Sequence, residues 1–209
     1  MMRLRWDKVC CVGIALMLVT ASVQAVGLGF YISGGATTAD WEDDYADEFE
    51  VDHDLLECGI IFHTAVAEDR LFNYRLTLGY RQITMSQDGY DNEFKAEGFT
   101  MGHTFGFALV RARAVRLWLG PKIGLTYMDD DADWQYFGAG IGPELGLNIH
   151  MGPVVTLALA AGYQYSYFSV VEVEDDNYAY YDDDDDNGEY TEGMPYGSLA
   201  LIFRMGDSY

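Results

Sequence analysis

Cysteine is nearly absent from this 209-residue chain: there are three, and two of them, Cys10 and Cys11, lie within the first 25 residues. The remainder keeps Cys58 alone, so no intramolecular disulfide can tie it together. Proline is scarce too, with four residues in all. The apolar run Val9–Ala21 has 13 residues, short of the roughly 18–20 that a membrane-spanning helix needs. Basic residues are few, 12 Lys and Arg against 34 Asp and Glu, for a net charge of −22. That balance excludes a nucleic-acid partner, because phosphate binding needs basic patches. Past residue 26 no apolar stripe follows the i, i+3, i+4, i+7 spacing of a helix. What remains is a chain half hydrophobic and 15% aromatic, a composition that does not suit disorder.

Residues 1–25 read as a secretory signal. Arg3, Arg5 and Lys8 form a positive start, Val9 to Ala21 an apolar centre, and Val23-Gln24-Ala25 a small-x-small cleavage site. Neither Cys10 nor Cys11 stands in a lipoprotein acceptor context. Residues 26–209 are then expected to form one domain, with nine bases against 33 acids.

In that domain apolar and polar residues alternate. Eight period-2 segments are expected as strands: 27–36, 55–67, 71–86, 98–111, 114–128, 136–149, 154–171 and 194–205. In the third, Phe72, Tyr74, Leu76, Leu78 and Tyr80 share one face, opposite Asn73, Arg75, Thr77, Gly79 and Arg81. In the sixth, Phe137, Ala139, Ile141, Pro143, Leu145, Leu147 and Ile149 oppose Gly138, Gly140, Gly142, Glu144, Gly146 and Asn148. One face is bulky and apolar, the other small or polar with isolated charges. A glycine-rich face is a poor solvent surface but a good filling for a narrow lumen. The pattern therefore predicts an inside-out barrel, with large apolar residues turned towards lipid. Eight strands give an interior just wide enough for its own side chains. Closing the ring leaves no unpaired edge for lipid to penalise.

The connections alternate in length. Short turns are expected at Glu68-Asp69-Arg70, Ala112-Arg113 and His150 to Pro153, and long ones at 37–54, 87–97, 129–135 and 172–193. The long ones hold 28 of the 34 acids. Arg70, Arg111, Arg113, Arg116 and Arg204 gather at the other end, so the molecule is electrically polar along its axis.

With this strand count, loop order and such glycine-spaced stretches as Gly138-Ala-Gly-Ile-Gly-Pro-Glu-Leu-Gly and Leu159-Ala-Ala-Gly-Tyr-Gln-Tyr, the chain resembles the small outer-membrane barrels of the OmpA, OmpX and OmpW kind. The resemblance implies an all-β, eight-stranded antiparallel up-and-down transmembrane β-barrel with short periplasmic turns and long acidic extracellular loops. It implies the Gram-negative outer membrane as the location, outer-membrane lipids and lipopolysaccharide as surroundings, and a monomer. It also implies barrel-assembly machinery that reads an aromatic end to the last strand, here Tyr209 or Phe203. The features carrying it are architectural and name no activity. A non-enzymatic structural or interaction role for the acidic loops is expected, with a narrow OmpW-like channel for small solutes or a lipid A-modifying enzyme as the alternatives.

The ions expected in the lumen are Glu57, His63, Arg75, Arg81, Lys122 and Glu144, which must pair because lone buried ions are costly. They read either as a gate whose salt bridges exchange partners or as a static filling. Asp182 to Asp186, followed by Asn187-Gly188, matches the start of an EF-hand loop, but its twelfth position is Met194 and no helices flank it. No EF-hand is expected. A looser reading is weak Ca²⁺ or Mg²⁺ collection by the loop carboxylates, and no other cofactor is expected. Tyr80, Tyr127, Tyr163, Tyr165 and Tyr167 are expected in a belt at headgroup depth. An enzyme on this scaffold needs a His, Ser and acid at the outer rim. His53 is the one histidine expected in a long loop and has no serine beside it, His63 faces the lumen, His103 falls on the lipid face and His150 lies in a short turn. No residue is therefore assigned a catalytic role.

Overall fold

Period-2 alternation with one bulky face favours strands, since successive side chains point to opposite sides of a pleated backbone. The computed structural model describes residues 26–43, 46–66, 70–87, 93–130, 134–172 and 187–205. These form eight strands: β1 (Val26–Asp43), β2 (Ala46–Thr64), β3 (Phe72–Gln87), β4 (Glu93–Arg111), β5 (Val115–Asp130), β6 (Trp134–His150), β7 (Val155–Glu172) and β8 (Asn187–Met205). Each pairs antiparallel with its sequence neighbours, and β1 pairs with β8 to close the ring. The up-and-down barrel expected from the sequence is the one observed. The expected signal segment 1–25, the Asp182 to Asp186 run and Tyr209 lie outside the described residues.

The strands are longer than the alternation alone predicted, and the gain is at one end. The expected long connection 37–54 is mostly β-ladder: β1 and β2 stay in register from Val26↔Thr64 to Asp40↔Glu50, with an irregularity between Trp41 and Asp43. The seam between β1 and β8 is shorter, running from Val26↔Met205 to Gly35↔Tyr196. Strands of 16 to 19 residues reach about 50–60 Å end to end, and tilted at about 40° they stand well above the roughly 25 Å apolar band of an outer-membrane barrel.

The outer wall shows where such a band would lie. Phe30, Ile60, Phe99, Phe107, Leu125, Ile141, Leu145 and Phe203 are exposed on it, Phe99 to 70%. Towards the outer ends this surface finishes in aromatic pairs, Tyr80 with Phe99 at 6.0 Å and Tyr127 with Phe137 at 4.9 Å between ring centroids. Tyr163, Tyr165 and Tyr167 are exposed on the same wall. Above the aromatics the outward positions turn acidic: Asp52, Asp54, Glu97, Asp129 and Glu189 are all exposed.

Two of the three prolines in the wall face each other without breaking the seam they share. Pro121 of β5 and Pro143 of β6 face each other in an unbroken register. The ladder skips a step on the far side of each, between Thr104↔Lys122 and Phe107↔Leu119, and between Ile141↔Tyr165 and Glu144↔Gly162. A proline nitrogen donates no hydrogen bond, and each proline turns that missing donor away from its partner.

Candidate functional site

The interior is filled in layers. At the outer end a cluster of Val51, Leu55, Ile83, Met85, Ala96, Met128, Tyr136, Phe168, Val170 and Met194 closes the lumen, with Trp134 and Tyr190 packed against it. At the opposite end the turn after β2 folds inwards. Ala65 takes a positive φ of 55°, and Val66, 1% exposed, packs with Ile61 and Ile202. The Arg116 guanidinium holds this turn, donating from Nη1 to the Ala65 carbonyl at 2.7 Å and from Nη2 to Asn73 Oδ1 at 3.3 Å.

Between the two closures lies the charged layer. All six ionisable residues expected in the lumen are there, none more than 8% exposed. Glu57 of β2 and Arg81 of β3 are register partners. Arg81 donates from Nε and Nη2 to Glu57 Oε2 at 3.1 and 2.8 Å, and Tyr31 donates its hydroxyl to Glu57 Oε1 at 2.5 Å. Glu144 is held differently, by two neutral donors: Thr104 Oγ1 to Oε1 at 3.0 Å and Tyr196 Oη to Oε2 at 2.8 Å. Arg75 and Lys122 stand off from that carboxylate at 3.6 and 3.9 Å. Lys122 instead lies over the Tyr196 ring, 4.3 Å from its centroid. His63 is fully buried, its Nε2 3.0 Å from Asn73 Nδ2. Trp118, also fully buried, fills the space between Arg75 and His63. The indole fits because Gly146 has no side chain: a Cβ there would fall inside the ring.

Two further partners come from segments expected as loops. His53 belongs to β2 and Glu192 to β8; both face inwards, with His53 Nδ1 2.9 Å from Glu192 Oε2. The expectation of His53 in a loop is corrected. Parity would have found it, since 53, 55 and 57 share a strand face, as 192, 194 and 196 do. The acids around both residues concealed the continuing strands. His103 is on the outer wall as expected, its Nδ1 2.6 Å from the Tyr74 hydroxyl. His150, expected in a turn, ends β6 with Nδ1 3.0 Å from Thr156 Oγ1.

A void of about 10 Å³ lies inside the wall, lined by Glu57, Arg81, Lys122, Gln164 and Ser166 among others. It has room for about one water molecule. No group of three or more metal-ligating side chains occurs among the described residues.

No protein-family model matches the sequence, and no curated protein does. Among solved structures, the chain is similar to the outer membrane protein OprG from Pseudomonas aeruginosa, with a TM-score of 0.56 and 9% identity over 88% of this chain and 97% of that one. Neisserial surface protein A, NspA, matches at a TM-score of 0.40 and 14% identity over 88% of this chain and 97% of that one. OprH from P. aeruginosa matches at 0.41 and 12% over 86% and 99%. The closed ring of eight antiparallel strands is thus a fold this chain shares with the outer membrane protein OprG.

Proposed function

We propose that this chain is an outer-membrane β-barrel protein, exported by residues 1–25, that acts without catalysis as a monomeric mount for an acidic outer end. The observation that carries the reading is the inverted distribution of polarity: Phe99 is 70% exposed on the wall while Arg81 and Glu57 are 5% and 3% exposed inside it. That arrangement is costly in water, where the hydrophobic effect works against it, and favourable in lipid. The role at the outer end is contact with lipopolysaccharide, with divalent cations bridging its phosphates to the carboxylates that would otherwise repel them. Assembly machinery that inserts such barrels is the partner on the way to the membrane.

A narrow channel for small solutes is the second reading, and the file of ions inside the barrel favours it. The apolar cluster at one end, Val66 at the other and a void of about 10 Å³ favour a closed lumen. A lipid A-modifying enzyme draws no support from His53, whose partner is the buried Glu192. The test is to refold residues 26–209 in detergent, compare unheated with boiled samples on a gel, and measure planar-bilayer conductance. A band whose mobility shifts on heating, with no conductance above the bare membrane, is expected. A soluble protein with no heat shift overturns the barrel-in-lipid reading, and a steady conductance overturns the sealed mount in favour of the channel.

A further inference from the structure

Four cations, Arg75, Arg81, Lys122 and Arg116, share the lumen with three carboxylates, Glu57, Glu144 and Glu192, the last of them beside His53. Arg81 pairs with Glu57, which also accepts from Tyr31, and Arg116 donates to two neutral oxygens. Arg75 and Lys122 are left with Glu144, whose two oxygens already accept from Thr104 and Tyr196. Both cations stay outside hydrogen-bond distance of it, at 3.6 and 3.9 Å. Arg75 is 2% exposed, yet its Nε and Nη1 make no hydrogen bond, and Nη2 reaches Ser198 Oγ only at 3.4 Å. A buried guanidinium with two idle nitrogens is expensive unless something accepts from them. Gly102 lets Lys122 lie close against the wall: a Cβ there would sit 3.1 Å from Lys122 Cε and closer still to Thr77 Oγ1.

We propose that the lumen binds one small monovalent anion, of halide size, between the Arg75 guanidinium and the Lys122 ammonium. The anion accepts the hydrogen bonds that Arg75 lacks and balances the surplus positive charge. Glu57, Glu144 and Glu192 bound the site, which disfavours a divalent anion such as phosphate by like-charge repulsion. The little free volume excludes an organic acid. The exposed Arg111 and Arg113 at the short-turn end raise the local concentration of anions at that mouth. The site holds whatever the acidic end contacts.

The experiment uses the refolded barrel of residues 26–209 at fixed ionic strength in gluconate, chloride, bromide or phosphate. The unfolding midpoint is expected to rise with the logarithm of halide concentration once the site begins to fill, and to stay at the gluconate value in phosphate. Crystals grown in bromide are expected to show anomalous scattering within hydrogen-bond distance of Arg75 and Lys122. Lys122→Gln, which keeps the length of the side chain near Tyr196, should lose the halide increment while keeping the heat-shifted band. Equal midpoints in all four salts overturn the proposal. So does an increment that survives in Lys122→Gln, which marks a general salt effect, or bromide found at the rim only. An equal gain in phosphate overturns the size and charge selectivity.

Discussion

Glu57 receives three hydrogen bonds, one from Tyr31 and two from Arg81, so its carboxylate and the guanidinium are each other's main compensation in a dry interior. Removing one partner strands the other. Glu57→Gln is expected to destabilise the barrel by about 3–5 kcal/mol, whereas Glu57→Leu combined with Arg81→Met costs less than the sum of the two single changes, because apolar replacement removes the desolvation penalty along with the attraction. Urea unfolding of the barrel refolded into lipid vesicles measures this, and a double variant as unstable as the sum refutes the coupling. The lumen ions were legible in the sequence by parity alone, since Glu57, Arg75, Arg81, Lys122 and Glu144 each alternate with bulky apolar residues. Their pairing was not legible. Glu57 and Arg81 meet because the β2–β3 register sets them opposite each other, whereas Glu144 of β6 meets Arg75 of β3 and the Tyr196 hydroxyl of β8 only once the barrel closes.

Among the elements, β5 and β6 carry the wall's two facing prolines, and the ladder is intact between them but interrupted on their outer sides. Amides at Phe105 and Tyr163, opposite the two prolines, are therefore expected to exchange hydrogen faster than those of Ile123 to Thr126 and Gly138 to Ile141. Uniform protection across these strands would mean that the gaps close in solution. Strand number, order and facing followed from the alternation. The outer strand ends did not, because apolar alternation is demanded only where one face meets lipid. Beyond that band an antiparallel ladder continues on backbone hydrogen bonds, and acids such as Asp52, Asp54 and Glu189 occupy its outward positions without cost.

The whole molecule is charged unequally along its axis, with exposed carboxylates at one end and exposed Arg70, Arg111 and Arg113 at the other. In vesicles containing lipopolysaccharide, Mg²⁺ is expected to raise the unfolding midpoint relative to a chelator, and in vesicles of neutral phospholipid to leave it unchanged. An equal effect in both would show that the cation acts on the protein and not on a contact with lipid phosphate. The seam that completes the ring has a consequence of another kind. Val26 lies opposite Met205, so the first strand finds its second neighbour only in the last one. Among the described residues this is the strand pairing of greatest sequence separation, and it bears the largest loop-closure entropy. Until β8 arrives, both edges of the sheet are open, and β1 is a template for any stray strand. The time between the appearance of β1 and the arrival of β8 is thus when this chain is most exposed to aggregation.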